Sequence, residues 1–280
     1  MSSFALPNQQ IGDLTITAVS DGYLNASFDF LANIDPANAS RMQENAGITD
    51  PTSIHINCYL VRAGGRIVLI DAGAGGFKQW GGQLKANLLL AGIQPSEIDT
   101  ILLTHAHPDH VGGLMDASGE AVFPNAELIA HHREVAFWRD DGNLNRAPER
   151  ARGNFLVARQ AFDGYRDRLR TFEGGEVLPG VTAMPLPGHT AGHTGYRLDS
   201  GNKSLLVWGD IVHFPHIQVP RPEVSIAFDQ DASLSAATRS RLLDCVAAEQ
   251  LLIAGMHLGE PGFARIERTA NRTYAVSYEK

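Results

Sequence analysis

Apolar runs and alternating apolar-polar stretches recur along the chain, interleaved with segments of helical spacing. "LTITAVSDG" (14–22) predicts a strand, and "IHINCYLVRAGGRIVLIDAG" (54–73) predicts two strands joined around Gly64-Gly65. Residues 23–53 show no clear period and predict a surface loop with short helical pieces. Over 81–91, Leu84, Leu88 and Leu89 recur at helical spacing, and Gly92 sits where a C-terminal cap belongs. "DTILLTH" supplies a buried strand, "AELIAH" (126–131) another, and a helix begins near His132. From Arg139 to Arg170 the chain turns polar and arginine-rich and predicts one helix covering the surface or meeting a second subunit. Strands return at "VTAMPL" (181–186), "GYRLDS" (195–200) and "SLLVWGD" (204–210), with a turn at Gly201-Asn202. A helix over about 233–248 starts from a cap at Ser233, "LLIAGMH" (251–257) is a further strand, and "FARIERTANRTYAVSY" reads as two more.

Hairpins need a partner face and each helix offers one apolar stripe, so this order predicts sheet packed on sheet with helices outside: an α/β, four-layer αββα sandwich. Short turns between neighbouring strands favour antiparallel pairing over a doubly wound sheet. With 280 residues and 44% hydrophobic content, the chain can bury a large core, read as a single domain over 1–280 with an arginine-rich helical insertion at about 139–175. A net charge of −8 argues against a nucleic-acid partner. Cys58 and Cys245 are too few for a disulfide framework and read as buried thiols. "MSSFALPNQQ" lacks a basic segment followed by a long apolar one, and no later run is long enough to span a bilayer, which reads as a cytoplasmic protein with no membrane partner.

Chemistry-bearing residues stand where apolar strands stop: His105, His107, Asp109 and His110 after "TILL", His189 after "VTAMPLPG", Asp210 after "SLLVWG" and His257 after "LLIAGM". Strand ends converge at one edge of a sheet, so these side chains can meet in one cleft. In an extended loop His105 and His107 point the same way and can reach one ion. Pro108 ends the extended stretch, which redirects Asp109 and His110 toward a second ion, and Asp210 can bridge the two. Neutral imidazole and carboxylate suit zinc or a similar divalent ion, with manganese, cobalt and iron as alternatives. Collecting so many polar groups at strand ends makes physical sense when a cation neutralises and orders them. His55, His131 and His132 stand apart from this pattern and read as structural histidines.

In "LIDAG" (69–73), "THAHPDH" (104–110), "LPGHTAGHT" (186–194), "WGD" (208–210) and "GMH" (255–257), taken in order and spacing, the chain resembles the metallo-β-lactamase-fold hydrolase superfamily over almost its whole length. The resemblance implies two metal ions, one on His105, His107 and His189, the other on Asp109, His110 and His257, with Asp210 between them. It also implies that Asp71 orients a ligand and that His193 is a supporting hydrogen-bonding residue, and it suggests a homodimer. Iron-dependent oxygen-reducing relatives carry Glu where this chain has His107. Residues 209–231, "GDIVHFPHIQVPRPEVSIAFDQD", resemble the methyl parathion hydrolase and dihydrocoumarin lactonase branch. Acyl-homoserine lactonases typically carry Tyr where this chain has His213.

The expected activity is therefore hydrolysis of a small-molecule lactone or aryl ester by a metal-bridging hydroxide, with phosphotriesters as related substrates. In that scheme His213 donates to the developing oxyanion, Asp109 passes a proton to the leaving alkoxide, and Phe214, His216 and Ile217 add pocket wall. The competing readings are an acyl-homoserine lactonase or β-lactamase on the same scaffold, and a metal-stabilised interaction module working through the Arg139–Arg170 surface.

Overall fold

The computed structural model describes residues 6–279. One seven-stranded sheet runs in the order β1-β2-β4-β5-β6-β7-β8. Its strands are β1 (Asn8–Ile11), β2 (Leu14–Asn25), β4 (Ser53–Ala63), β5 (Arg66–Ile70), β6 (Thr100–Leu102), β7 (Glu127–His131) and β8 (Leu169–Phe172). The second sheet runs β16-β15-β14-β12-β11-β10-β9. It comprises β9 (Gly175–Leu178), β10 (Val181–Pro185), β11 (Thr194–Ser200), β12 (Lys203–Val207), β14 (Leu252–Ala254), β15 (Phe263–Arg268) and β16 (Tyr274–Tyr278). A short pair, β3 (Leu31–Ala32) with β13 (Ser225–Ile226), lies apart from both sheets.

The period of two along each strand builds the layers. Tyr59, Val61, Val68, Ile70 and Leu102 face Leu205, Val207, Leu252 and Ala254 in the core between the sheets. Their sequence neighbours Cys58, Leu60, Leu69 and Ile101 point the other way, into a second core closed by α2 (Leu84–Leu90), α4 (His132–Arg139) and α6 (Glu149–Gly164). Leu206 and Ile253 do the same on the far side, under α8 (Ala232–Glu249). Helices thus cover both outer faces, and these strands are apolar on both sides, which is why they read as unbroken hydrophobic runs. Among the described residues no helix is long and apolar enough to cross a membrane.

Strand direction decides where the loops emerge. β5, β6, β7 and β8 pair in parallel, as do β12 and β14, while β10, β11 and β12 alternate. β10 and β12 therefore run the same way, and the C-terminal ends of β5, β6, β10, β12 and β14 deliver Asp71, His105, His189, Asp210 and His257. The antiparallel pairing expected of neighbouring strands joined by short turns is found, and the parallel pairs occur where longer connections intervene.

Several local expectations are corrected. The region 139–170 is not one helix: α4 stops at Arg139, α5 (Asp141–Arg146) follows, and α6 begins at Glu149. Asp140 caps α5 by accepting from Asn143 N at 2.6 Å, and Ala147, before Pro148, is extended, as the residue preceding proline tends to be. Within 23–53 lies a ten-residue helix, α1 (Pro36–Asn45), capped by Asp35 with proline at its first position. Asp231 rather than Ser233 caps α8, accepting from Leu234 N at 2.9 Å. Cys58 is buried, but Cys245 is exposed on the outer side of α8.

Candidate metal centre

Two clusters of side chains meet above the strand ends. In the first, His105 Nε2, His107 Nδ1 and His189 Nε2 lie 3.0, 3.0 and 3.2 Å from one another. Asp210 Oδ2 is 3.7 Å from His105 Nε2 and 3.5 Å from His189 Nε2. In the second, the same Asp210 oxygen lies 3.3 Å from His110 Nε2 and 3.1 Å from His257 Nε2, and Asp109 Oδ2 lies 3.4 and 3.6 Å from those two nitrogens. A single carboxylate oxygen is therefore common to both.

The chemistry of this donor set fits a pair of divalent cations. Four tetrahedral ligands at zinc–nitrogen bond lengths stand about 3.3 Å apart, close to the spacing of the three imidazole nitrogens. Three such nitrogens cannot all pair as donor and acceptor with one another. Burial, then the neighbouring His110, pushes His105 well below its ordinary pKa, and burial, then His189, does the same to His107, so both present lone pairs at neutral pH. His110 goes the other way: burial disfavours its charge, but Asp210, Asp109 and Asp71 outweigh it. Its Nε2 and Asp210 Oδ1 are buried without a hydrogen-bond partner. The second cluster thus sets two carboxylates against imidazole nitrogens and leaves buried polar atoms unpartnered, an arrangement that a cation would satisfy.

Each ring is aimed by what holds its other nitrogen. His189 Nδ1 donates to Asp229 Oδ1 at 2.8 Å, His110 Nδ1 to Asp71 Oδ2 at 2.6 Å, and His257 Nδ1 to the carbonyl of His55 at 2.8 Å. Asp71, at φ +58°, also accepts from Thr104 N and Oγ1, leaving that hydroxyl to accept from His105 Nδ1 at 3.1 Å. His193 Nδ1 donates to the carbonyl of Leu186, which fixes the tautomer so that Nε2 accepts from Asp210 N at 2.9 Å. Burial lowers its pKa to about 3, keeping that acceptor free of a proton. Gly209, at φ +59°, passes so close that a Cβ there would stand 2.4 Å from the same nitrogen.

Three supporting carboxylates escaped the sequence reading. Glu134, 1% exposed, accepts from Ala106 N and Trp138 Nε1 on one oxygen and from Thr190 Oγ1 and Gly192 N on the other, tying the 105–107 loop to the 189–194 loop. Its setting in "HHREVAF" resembles an ordinary helix surface. Asp229 belongs to the "FDQD" stretch, which gave no hint of its contact with His189. Asp21 is the extra residue where the β2–β4 register shifts; the bulge turns its carboxylate to accept from Ala74 N and Leu84 N at 2.8 Å, which shapes the loop after Asp71.

His213 lies against the centre, with Nε2 3.2 Å from Asp210 Oδ2 and its ring stacked on His257 at 5.2 Å. The remaining expected wall residues face elsewhere. Phe214 and Ile217 are buried beside Phe28 and Ala39, and His216 packs on Tyr278. The turn of α7 (Pro215–Gln218) carries all three away from the cleft. The cavity above the clusters, about 570 Å³, is walled instead by Leu24, Phe30, Trp80, Phe137, Trp138 and Phe228, with His107, Asp109, Asp210, His213 and His257 also lining it. His55 is not isolated, since its carbonyl orients His257, whereas His131 caps α4 by accepting from Arg133 N.

Fold and paired clusters together define a metallo-hydrolase-like centre on an αββα scaffold, and residues 52–257 match the family model described as the metallo-beta-lactamase superfamily. The chain belongs to that superfamily. It is similar to a solved structure titled as the hydrolase AbOPH in the beta lactamase superfamily, at 32% identity and a TM-score of 0.91, covering 98% of this chain and 97% of that one. It is also similar to AidC, titled a dizinc quorum-quenching lactonase in complex with the product N-hexanoyl-L-homoserine, at 26% identity and a TM-score of 0.91, covering 99% and 98%. Among curated proteins, YobT of Bacillus subtilis is 31% identical over 156 residues, 56% of this chain and 62% of that protein. A probable metallo-hydrolase of Mycobacterium tuberculosis, Rv2300c, is 27% identical over 161 residues, 55% of this chain and 49% of that protein. The matches to these curated relatives thus span about half to three-fifths of their length.

Proposed function

We propose that the protein is a dinuclear metal-dependent hydrolase of lactones or aryl esters. The observation that carries this reading is the placement of Asp210 Oδ2 within 3.7 Å of five imidazole nitrogens, those of His105, His110, His189, His213 and His257, at the floor of an aromatic-walled cavity. His105, His107 and His189 would hold one ion, Asp109, His110 and His257 the other, with Asp210 between them. When bound, such a pair acidifies water and polarises a carbonyl oxygen.

The chain's own groups supply the rest. The aromatic wall presents an apolar substrate body and excludes water from the floor. Asp109 would shuttle to the leaving oxygen the proton given up by the attacking water, and His213 would donate to the oxygen that gains charge. Glu134, Asp71, Asp229 and His193 keep the imidazoles aimed. Phosphotriesters present a comparable electrophile and are a secondary substrate class. A second reading, acyl-homoserine lactone hydrolysis, is favoured by the similarity to AidC over nearly the full length.

Metal-loaded protein should release product from at least one member of a panel of γ- and δ-lactones, acyl-homoserine lactones, aryl esters and phosphotriesters, with a β-lactam as the contrasting scaffold substrate. Chelation should lower kcat/KM at least about 100-fold, and added zinc, manganese or cobalt should restore it. Absence of turnover across the panel by protein shown to hold metal would overturn the reading.

A further inference from the structure

The mouth of the cavity differs in charge from both its floor and the chain as a whole. The carboxylates that line it, Asp109, Asp210 and Asp229, belong to the metal centre or its support. Three exposed cations also line it: Lys78, Arg146 and Arg150. Among the described residues none of the three makes an ion pair. Arg146 Nη2 donates to Asn143 Oδ1 at 2.7 Å, Arg150 Nη2 to the carbonyl of Ala227 at 3.3 Å, and Lys78 Nζ lies 5.5 Å from the Trp80 ring. These contacts place the charges without neutralising them.

The other arginines between 139 and 170 divide into paired ones and ones away from the cavity. Arg139, Arg159 and Arg170 are each paired, with Asp163, Asp141 and Glu127. Arg152 and Arg168 also lack a carboxylate, but they do not line the cavity. In a chain of net charge −8, an uncompensated positive rim above an apolar wall selects for charge at one end of the ligand.

We propose that the substrate carries an anionic group, a carboxylate, sulfonate or phosphate, at the end remote from the bond that breaks, and that Lys78, Arg146 and Arg150 receive it. The proposal rests on the hydrolase reading for the position of the scissile bond. The ligand then matches the cavity from floor to mouth: ester, apolar or aromatic body, anion.

The test compares 4-nitrophenyl hydrogen suberate with its methyl ester, which differ at the remote end by the charge and one methyl group, by release of nitrophenolate from metal-loaded protein. The ratio of kcat/KM, anionic over neutral, should be about tenfold, as expected of several partly screened charge contacts. It should fall toward one in about 0.5 M salt. An Arg146→Gln/Arg150→Gln double variant, and separately Lys78→Gln, should lower it several-fold, whereas Arg272→Gln on the β15–β16 turn should leave it in place. Calorimetric titration of toluene-4-sulfonate against 4-methylbenzyl alcohol gives a readout independent of turnover, with sulfonate binding weakened in the same variants. A ratio at or below one, or one unmoved by the double variant, while both esters turn over, overturns the charge inference and leaves the hydrolase reading standing. If neither ester nor any other substrate of the panel is hydrolysed, the hydrolase reading fails. The sulfonate titration then decides alone: binding sensitive to the arginines supports the cationic rim, and absence of binding overturns it.

Discussion

Replacing Asp210 by Asn should lower kcat/KM at least about 10³-fold, several kcal/mol of transition-state stabilisation, and reduce bound metal from about two ions per chain to one or fewer. The size of the effect follows from position. Asp210 Oδ2 is the one atom common to both clusters, lying 3.1 Å from His257 Nε2 and 3.7 Å from His105 Nε2. Asn keeps the shape and removes the charge, so the fold should persist while the grip on two cations is lost. Asp210→Ala should show the same loss of metal, and because Asp210 N stays bonded to His193 Nε2, the backbone there should stay in place. Elemental analysis alongside steady-state kinetics checks both. Wild-type metal content in both variants would show that the carboxylate does not join the two halves of the centre.

Glu134→Ala should destabilise the protein by about 3–5 kcal/mol and weaken metal binding about 10–100-fold. Glu134 makes no contact with the proposed metal positions. It satisfies four donors at 2.7–3.0 Å, two of them backbone N–H groups of the loops that present His107 and His189. Ala leaves those donors buried and lets the loops drift apart. Glu134→Gln should be intermediate, because an amide can accept on only one of its two arms. Thermal and urea unfolding measure the first effect and competition with a chromophoric chelator the second. A Glu134→Ala protein within about 0.5 kcal/mol of wild type would show that the two loops are held by other contacts.

The layered architecture was legible because strands buried on both faces leave unbroken apolar runs, and because polar ligand-type residues stop those runs abruptly at 105, 189, 210 and 257. Helix boundaries were less legible where a polar surface helix has no sharp period. The break between α4 and α5 depends on Asp140 and that between α5 and α6 on Pro148, and both signals are in the sequence, but the sparse apolar residues around them masked the divisions. The supporting carboxylates were hidden for another reason. Glu134 and Asp21 act on backbone N–H groups far away in sequence, and a charged residue on a helix or a strand looks exposed until the loops that fold over it are known. Phe214, His216 and Ile217 follow the cavity-lining His213 in sequence, yet one turn of helix is enough to face them away from the cleft.

Seven side chains are proposed to grip two adjacent cations. Anomalous difference maps from crystals of the reconstituted protein, recorded on either side of the absorption edge of the added metal, test that proposal most directly. Two peaks about 3.5–4 Å apart are expected, one among His105, His107 and His189, the other among Asp109, His110 and His257, with Asp210 between them. A single peak, peaks remote from these residues, or none in protein shown to contain the metal would contradict it.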